Sequence, residues 1–326
     1  MENRQTATDL HFVAGAPSQR RRTLRWVGAG GRVVDVAAGN EHCVALTAEG
    51  SVFTWGQGQW GKLGHGDDVT RLWPTRVDAL EGQAVVRVAA GVSHTNAVTD
   101  EGRLLTWGSG RAGKLAHGAD QDKKNVPTLV EALGPGHMGR CVVDVALGDS
   151  HCVALTLDGS LFTWGYGRSG QLGHGDKEER LLPTLVESDT LAGLQLVRVA
   201  AGGNHSLAAT SKGRLLTWGR GGYGQLGQGN REDVLVPTRV EALVGVNTAG
   251  VSSGDYHSLL WTEEGEVYSF GSGGNGKLGH GGEENEHVPR LIEGPLVGKK
   301  VIGASAGFSH SLVWTEEGGV YSFGAG

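Results

Sequence analysis

Five stretches of this 326-residue chain read G-x-G-x-x-G, starting at Gly56, Gly108, Gly165, Gly219 and Gly271. In a dinucleotide-binding protein such glycines let the backbone approach a pyrophosphate, which then sits on the N-terminus of the helix that follows. Here Leu-Gly-His-Gly or a close variant follows and no helix is signalled. Five copies also contradict a single site, so no cofactor is expected. Six histidines, His42, His94, His151, His205, His257 and His310, each close a G-x-x-H unit. A metal site needs three or four ligands converging at about 2.1 Å. Equivalent positions on separate repeats lie too far apart for that, so no metal is expected. These residues read as structural histidines bonding backbone in the adjoining loop. His65, His117, His174 and His280 read the same way, and Gln228 fills the remaining equivalent place. The paired acids Asp67-Asp68 and Glu283-Glu284 fall in polar linkers. No isolated nucleophile stands beside a base, so no catalytic residue is assigned and the chain reads as a non-enzyme.

Composition narrows the class further. Cys43 and Cys152 hold one repeat position that Thr95, Ser206, Ser258 and Ser311 fill elsewhere. With Cys141 as the third cysteine, this is a demand for a small residue and not a disulfide framework. A reducing compartment, cytoplasm or nucleus, is the expected location. Net charge is −6, but residues 1–38 carry six arginines against three acids, leaving the rest at −9. That acidic body argues against nucleic-acid binding by the repeats. Arg20-Arg21-Arg22 with Arg25 reads as a solvated basic edge, with a localisation or phosphate-binding patch as the alternative. No stretch approaches the roughly 18 apolar residues of a membrane span, and no signal-peptide pattern opens the chain.

The elements that must position these residues follow from the period. The first glycines of the G-x-x-H units, Gly39, Gly91, Gly148, Gly202, Gly254 and Gly307, lie 52 to 57 residues apart. Spacing of this kind is the mark of a repeat architecture. Within a copy, His42–Thr47 is a short apolar run, Ala48-Glu49-Gly50 a tight turn, and Ser51–Gly56 alternates with period two, which signals a β-hairpin. A linker leads to Pro74, expected at the first residue of an outer strand. Val85–Ala90, rich in β-branched residues, leads into the next copy. About four antiparallel strands per copy and no helical period predict an all-β fold, a β-propeller of four-stranded blades with six units by count. Trp55, Trp107, Trp164, Trp218, Phe270 and Phe323 share one position and read as blade-to-blade core. The expected organisation is a disordered 1–7, a closing half-repeat over 8–38 that zips onto the final hairpin, and repeats over 39–326 with the last incomplete. Val33–Ala38 matches Val85–Ala90 at an offset of 52.

Ala38-Gly39-x-x-His42-x-x-Ala45-Leu46-Thr47-x-x-Gly50, followed by Trp55-Gly56-x-Gly58-x-x-Gly61-x-Leu63-Gly64-x-Gly66, resembles the repeat of the regulator of chromosome condensation family. Leu147–Gly175 carries the same framework, and the likeness covers nearly the whole chain. The kelch pattern would need a Gly-Gly doublet at a fixed strand position. Here equivalent doublets occur only at Gly221-Gly222 and Gly273-Gly274, and no Trp-Asp dipeptide of the WD type occurs. The family usually builds seven blades, so six units imply a six-bladed ring or part of a seven-bladed one. The resemblance implies one of three roles: exchange factor for the small GTPase Ran, ultraviolet-B photoreceptor, or adaptor. The family's photoreceptor places Trp then Arg inside some G-x-x-H loops. Neither residue occurs there in this chain, so that role is rejected.

What remains is a rigid disc whose loops vary. Aromatic and arginine side chains dominate binding hot spots. Trp60, Arg111, Tyr166, Arg168, Arg220 and Tyr223 break the consensus of the glycine loops, and Tyr256 and Phe308 that of the G-x-x-H loops. These eight are the candidate partner-binding residues. The expected partner is a protein, with no small-molecule substrate. The function reads as an interaction scaffold, with nucleotide exchange on a Ran-like GTPase as the alternative. The insertion around Gly134–Gly139 is the one candidate for the projecting hairpin of an exchange factor.

Overall fold

The computed structural model describes residues 31–134 and 141–325. The basic run at 20–25, residues 8–30 of the expected closing segment, and the insertion from 135 to 140 lie outside the described residues. The rest is built of six antiparallel sheets. The first holds β1 (Val33–Ala38), β2 (His42–Thr47), β3 (Val52–Gly56) and β4 (Arg71–Arg76). The second holds β5 (Val85–Ala90), β6 (His94–Thr99), β7 (Leu104–Gly108) and β8 (Lys124–Leu129), and the third β9 (Val142–Leu147), β10 (His151–Thr156), β11 (Leu161–Gly165) and β12 (Arg180–Leu185). The fourth holds β13 (Leu196–Ala201), β14 (His205–Thr210), β15 (Leu215–Gly219) and β16 (Val234–Arg239), and the fifth β17 (Thr248–Ser253), β18 (His257–Thr262), β19 (Val267–Gly271) and β20 (Glu286–Leu291). The sixth shows β21 (Val301–Ala306), β22 (His310–Thr315) and β23 (Val320–Gly324) among the described residues. Consecutive inner strands pack on one another, β1 on β5 through β17 on β21, which is the arrangement of a six-bladed β-propeller.

Each sheet forms for local reasons. The β2–β3 connection is a three-residue turn in which Gly50 takes φ +79, a left-handed conformation that an L side chain resists. Val33–Ala38 pairs with β2, Val36 opposite Ala45, so this described part of the 8–38 segment is the inner strand of the first sheet, not an addition to the last hairpin. The prolines need a correction. Pro74 is the fourth residue of β4, not the first, and falls where the β3–β4 register shifts between Thr54 and Gly56. An outer strand with an irregularity needs no N–H there.

The sheets are joined by one clasp repeated five times. His42 Nε2 bonds Thr95 Oγ1 of the next sheet at 2.8 Å, and Thr95 donates onward to the Lys62 carbonyl at 2.7 Å. His94 meets Cys152, His151 meets Ser206, His205 meets Ser258 and His257 meets Ser311 in the same way. Because the hydroxyl donates to the carbonyl, the imidazole presents Nε2–H to it, and burial keeps the ring neutral. Trp107, Trp164 and Trp218 donate their indole N–H to the same carbonyls, at 2.9, 3.0 and 2.9 Å. The expectation that these histidines bond adjoining backbone is therefore corrected: they bond side chains of the next blade. The motif glycine follows from the clasp, since a Cβ on Gly148 or Gly202 would fall on the ring of His151 or His205. The second histidine set works within a sheet, His65 on Thr54 at 2.9 Å and His174 on Thr163 at 2.9 Å, and Gln228 takes the same bond to Thr217.

The sixth junction differs. Val320 in β23 is 69% exposed, whereas Val267 at the equivalent place is 2% exposed. In the first sheet, Val36 is 42% exposed against 8% for Val88 and Val145 at the equivalent places. His310 and Cys43, the two halves of a sixth clasp, make no such bond among the described residues.

Candidate protein-interaction face

The glycine-rich loops and the G-x-x-H loops emerge at the same end of the sheets, because each glycine loop begins hydrogen-bonded to the G-x-x-H loop of its own sheet. Tyr166 N–H donates to the Ser150 carbonyl at 2.8 Å, Arg220 to Asn204 at 2.9 Å and Ser272 to Tyr256 at 2.8 Å. The glycines do not open an α-helix. They lead into turns or three-residue 3-10 segments such as Gln59–Gly61, Arg111–Gly113 and Gly274–Gly276. With no helix N-terminus to receive a phosphate, calorimetric titration of the chain with NAD or ATP is expected to give no saturable heat. A micromolar isotherm would refute that.

The eight candidate residues fall into three groups. Tyr223 in the glycine loop of the fourth sheet meets Tyr256 of the fifth edge-to-face, with centroids 5.3 Å apart. Tyr256 in turn meets Phe308 of the sixth at 5.9 Å. The Arg220 guanidinium lies 5.9 Å from the Tyr223 ring. These four form one continuous patch over three sheets. Phe308 is 57% and Tyr223 39% exposed, so the rings are offered to solvent and do not fill a core. Trp60 and Arg111 form a second group on the first two sheets, the guanidinium 4.8 Å from the ring centroid. Trp60 sits at φ 68, a left-handed conformation that is an outlier for a bulky residue. Tyr166 and Arg168 stand on the third sheet, half-buried and exposed respectively, and the structure gives them no ring contact with either group.

Sequence reasoning missed the charges between these groups. Lys62, Lys114 and Lys277 are buried beneath the face, where the third and fourth sheets carry Gln171 and Gln225. Burial lowers all three lysines. Lys62 is held by Gln57 Oε1 at 2.8 Å and by Glu41 at 3.4 Å, and Lys114 by Ser93 Oγ at 3.0 Å. Asp149 and Asp255 are half-buried on the same end. The signal was the substitution of Lys by Gln at one repeat position.

The model of the RCC1-like domain family matches residues 9–326. The chain belongs to the RCC1-like family. This RCC1-like chain is 40% identical over 284 residues to the human E3 ubiquitin-protein ligase HERC2, a match covering 86% of this chain and 6% of that protein. It is 37% identical over 294 residues to the ultraviolet-B receptor UVR8 of Arabidopsis thaliana, covering 90% of this chain and 65% of the receptor. Yeast RCC1 (Prp20), solved bound to Kap60, superposes with a TM-score of 0.76 at 25% identity, covering 90% of this chain and 70% of the other. The chain thus spans under two thirds of the length of both curated relatives.

Proposed function

We propose that this RCC1-like chain is a non-enzymatic protein-interaction domain whose partner docks on Arg220, Tyr223, Tyr256 and Phe308. The observation that carries the reading is the edge-to-face chain of three aromatic rings joining three sheets at the loop end, with ring surface left exposed. The four residues come from three loops held by the same repeated hydrogen bonds, so the patch is preorganised and little entropy is lost on docking. Tyr256 is the central ring and touches both others. Partners recovered with the purified chain and identified by mass spectrometry should bind Tyr256→Ala more weakly by about 2 kcal/mol or more, roughly thirtyfold. The melting temperature should shift little, because loop side chains tolerate change. Partners that bind Tyr256→Ala and Phe308→Ala as tightly as the unaltered chain would remove the patch from the interface.

Exchange on a Ran-like small GTPase is the second reading. What favours it is the likeness to Prp20p of Saccharomyces cerevisiae at 26% identity and a TM-score of 0.76, a protein described by its binding to Gsp1p and histones. Such exchange involves no covalent chemistry: a docked surface stabilises the nucleotide-free GTPase. Acceleration of GDP release by the purified chain would establish it, and an unchanged release rate would dismiss it.

A further inference from the structure

The lysine arms beneath the loop end follow one pattern, and the fifth sheet breaks it. Lys62 and Lys114 each reach back to the residue before the clasp histidine of their own sheet. Lys62 meets Glu41 at 3.4 Å, and Lys114 meets Ser93 Oγ at 3.0 Å. Lys62 also bonds Gln57, the residue after Gly56, at 2.8 Å. In the fifth sheet these two places hold Tyr256 and Ser272, and neither takes the lysine. Lys277 is 5% exposed, yet its ammonium makes no hydrogen bond and no ion pair among the described residues. Burial lowers it, and the charge acting in the other direction is that of Asp255, half-buried and not bonded to it. Burying a charge is costly unless it is paired and hydrogen-bonded. A carboxylate brought to Lys277 supplies both.

Lys277 lies where the aromatic patch crosses from the fifth sheet to the sixth. Its carbonyl accepts from Ser311 Oγ of the sixth sheet at 2.8 Å, and a Cβ on Gly324 of β23 would stand 3.2 Å from the Lys277 Cβ. Tyr256 and Phe308 span the same junction, ring to ring. The first sheet shows how far such an arm reaches. The Lys62 side chain is 2% exposed, and the Glu41 side chain it meets is 51% exposed. An ammonium rooted beneath the loops thus pairs with an acid that stands in solvent. At the other end of the ring chain, Arg220 lies beside Tyr223, exposed and without an ion pair among the described residues.

We propose that the docked partner supplies an aspartate or glutamate to Lys277, filling in the fifth sheet the role that Glu41 fills in the first. An apolar side chain next to that acid covers the Tyr256 and Phe308 rings, and Arg220 attracts further acids along the segment. This rests on the reading that the aromatic patch is a docking face, and it names the partner as an acidic segment with an apolar anchor. Asp255 opposes such a segment, because like charges brought together are unfavourable. The two neighbours therefore act with opposite signs: removing the charge of Lys277 weakens binding, and removing that of Asp255 does not.

The test selects random dodecapeptides displayed on phage against the full chain near neutral pH. Selected peptides should carry Asp or Glu at a fixed place beside an apolar residue. A synthetic copy with that acid replaced by Asn or Gln should bind about thirtyfold or more weakly. Lys277→Gln is the matching change in the chain. It should melt no lower than the unaltered chain, because Gln171 and Gln225 fill the equivalent place in the third and fourth sheets. It should bind the acidic peptide about thirtyfold more weakly and no longer tell it from the amide copy. Asp255→Asn should bind the acidic peptide at least as tightly as the unaltered chain does. Peptides without an acidic preference, an amide copy that binds as well as the acid, a Lys277→Gln chain that still separates the two, or no selected peptide at all overturn the proposal. So does a Lys277→Gln chain that melts lower, which would make the lysine part of the fold. Weaker binding by Asp255→Asn overturns it as well, since Asp255 would then be the recognising charge. Peptides that depend on Tyr256 but not on Lys277 sink this proposal and leave the docking face standing. Peptides that depend on neither sink both.

Discussion

Acidification from pH 7 to about 4.5 should unfold this propeller in one cooperative step. The five clasp histidines are buried, and burial is the first cause that pushes His42, His205 and His257 down to about 3 and His151 to about 4. His94 lies well below its ordinary range for the same reason. In the unfolded chain each returns to about 6.5. Between those values the unfolded state binds one more proton per histidine, so stability is full above about 6.5 and falls as pH drops, by roughly 1.4 kcal/mol per unit for each. Five such groups at pH 5 sum to an upper limit on the order of 10 kcal/mol, comparable with the 5–15 kcal/mol that holds a domain together. The carboxyls of Asp35, Asp144, Asp149 and Asp255, raised by burial, work in the opposite sense and make the slope shallower. Circular-dichroism melts across the pH range decide the matter. A melting temperature that stays flat from pH 7.5 to about 5 would mean that the imidazoles are not held neutral.

Trp164→Ala should cost about 3–5 kcal/mol, the range for deleting a buried aromatic. The side chain is fully buried, packs with Val130, Leu133 and Val145, and donates its indole N–H to the Lys114 carbonyl of the neighbouring sheet. The alanine therefore opens a cavity at a blade junction and removes one of two donors to that carbonyl, Cys152 being the other. Trp164→Phe should cost only about 1 kcal/mol, the worth of the lost hydrogen bond. The fifth sheet shows why: Phe270 fills the equivalent place fully buried, and Ser258 alone serves the Gln225 carbonyl. Urea titrations of both variants give the comparison directly. Equal losses for Ala and Phe would shift the weight from packing to the hydrogen bond.

Much of the scaffold could be read from spacing. The glycine period, the charged-residue–Gly turns and the shared aromatic position each state a local requirement that every copy repeats, so the copies vouch for one another. What could not be read depends on which copy touches which. His42 and Thr95 are 53 residues apart and meet only because the next blade presents its second strand there. The small residue after each histidine carried the signal, but its role as acceptor and donor needed the ring geometry. Pro74 was placed at a strand start because sequence alone does not show a register shift within β4.

The clasp that joins each sheet to the next also sets how the molecule opens. Sheets three and four are clasped on both sides, and so are sheets two and five. Sheets one and six, among the described residues, are clasped on one side only. The clasps share one design, with the Cys152 thiol in place of a hydroxyl in the second, so the described sheets behave as a linear chain of linked units. Amide hydrogens should then exchange in a gradient, slowest in β10 and β14 and progressively faster toward β2 and β22. Local opening would start at the ends and travel inward. The aromatic patch straddles that gradient, with Tyr223 anchored toward its quiet middle and Phe308 at its restless edge, so a partner bound there would slow exchange most in the sixth sheet.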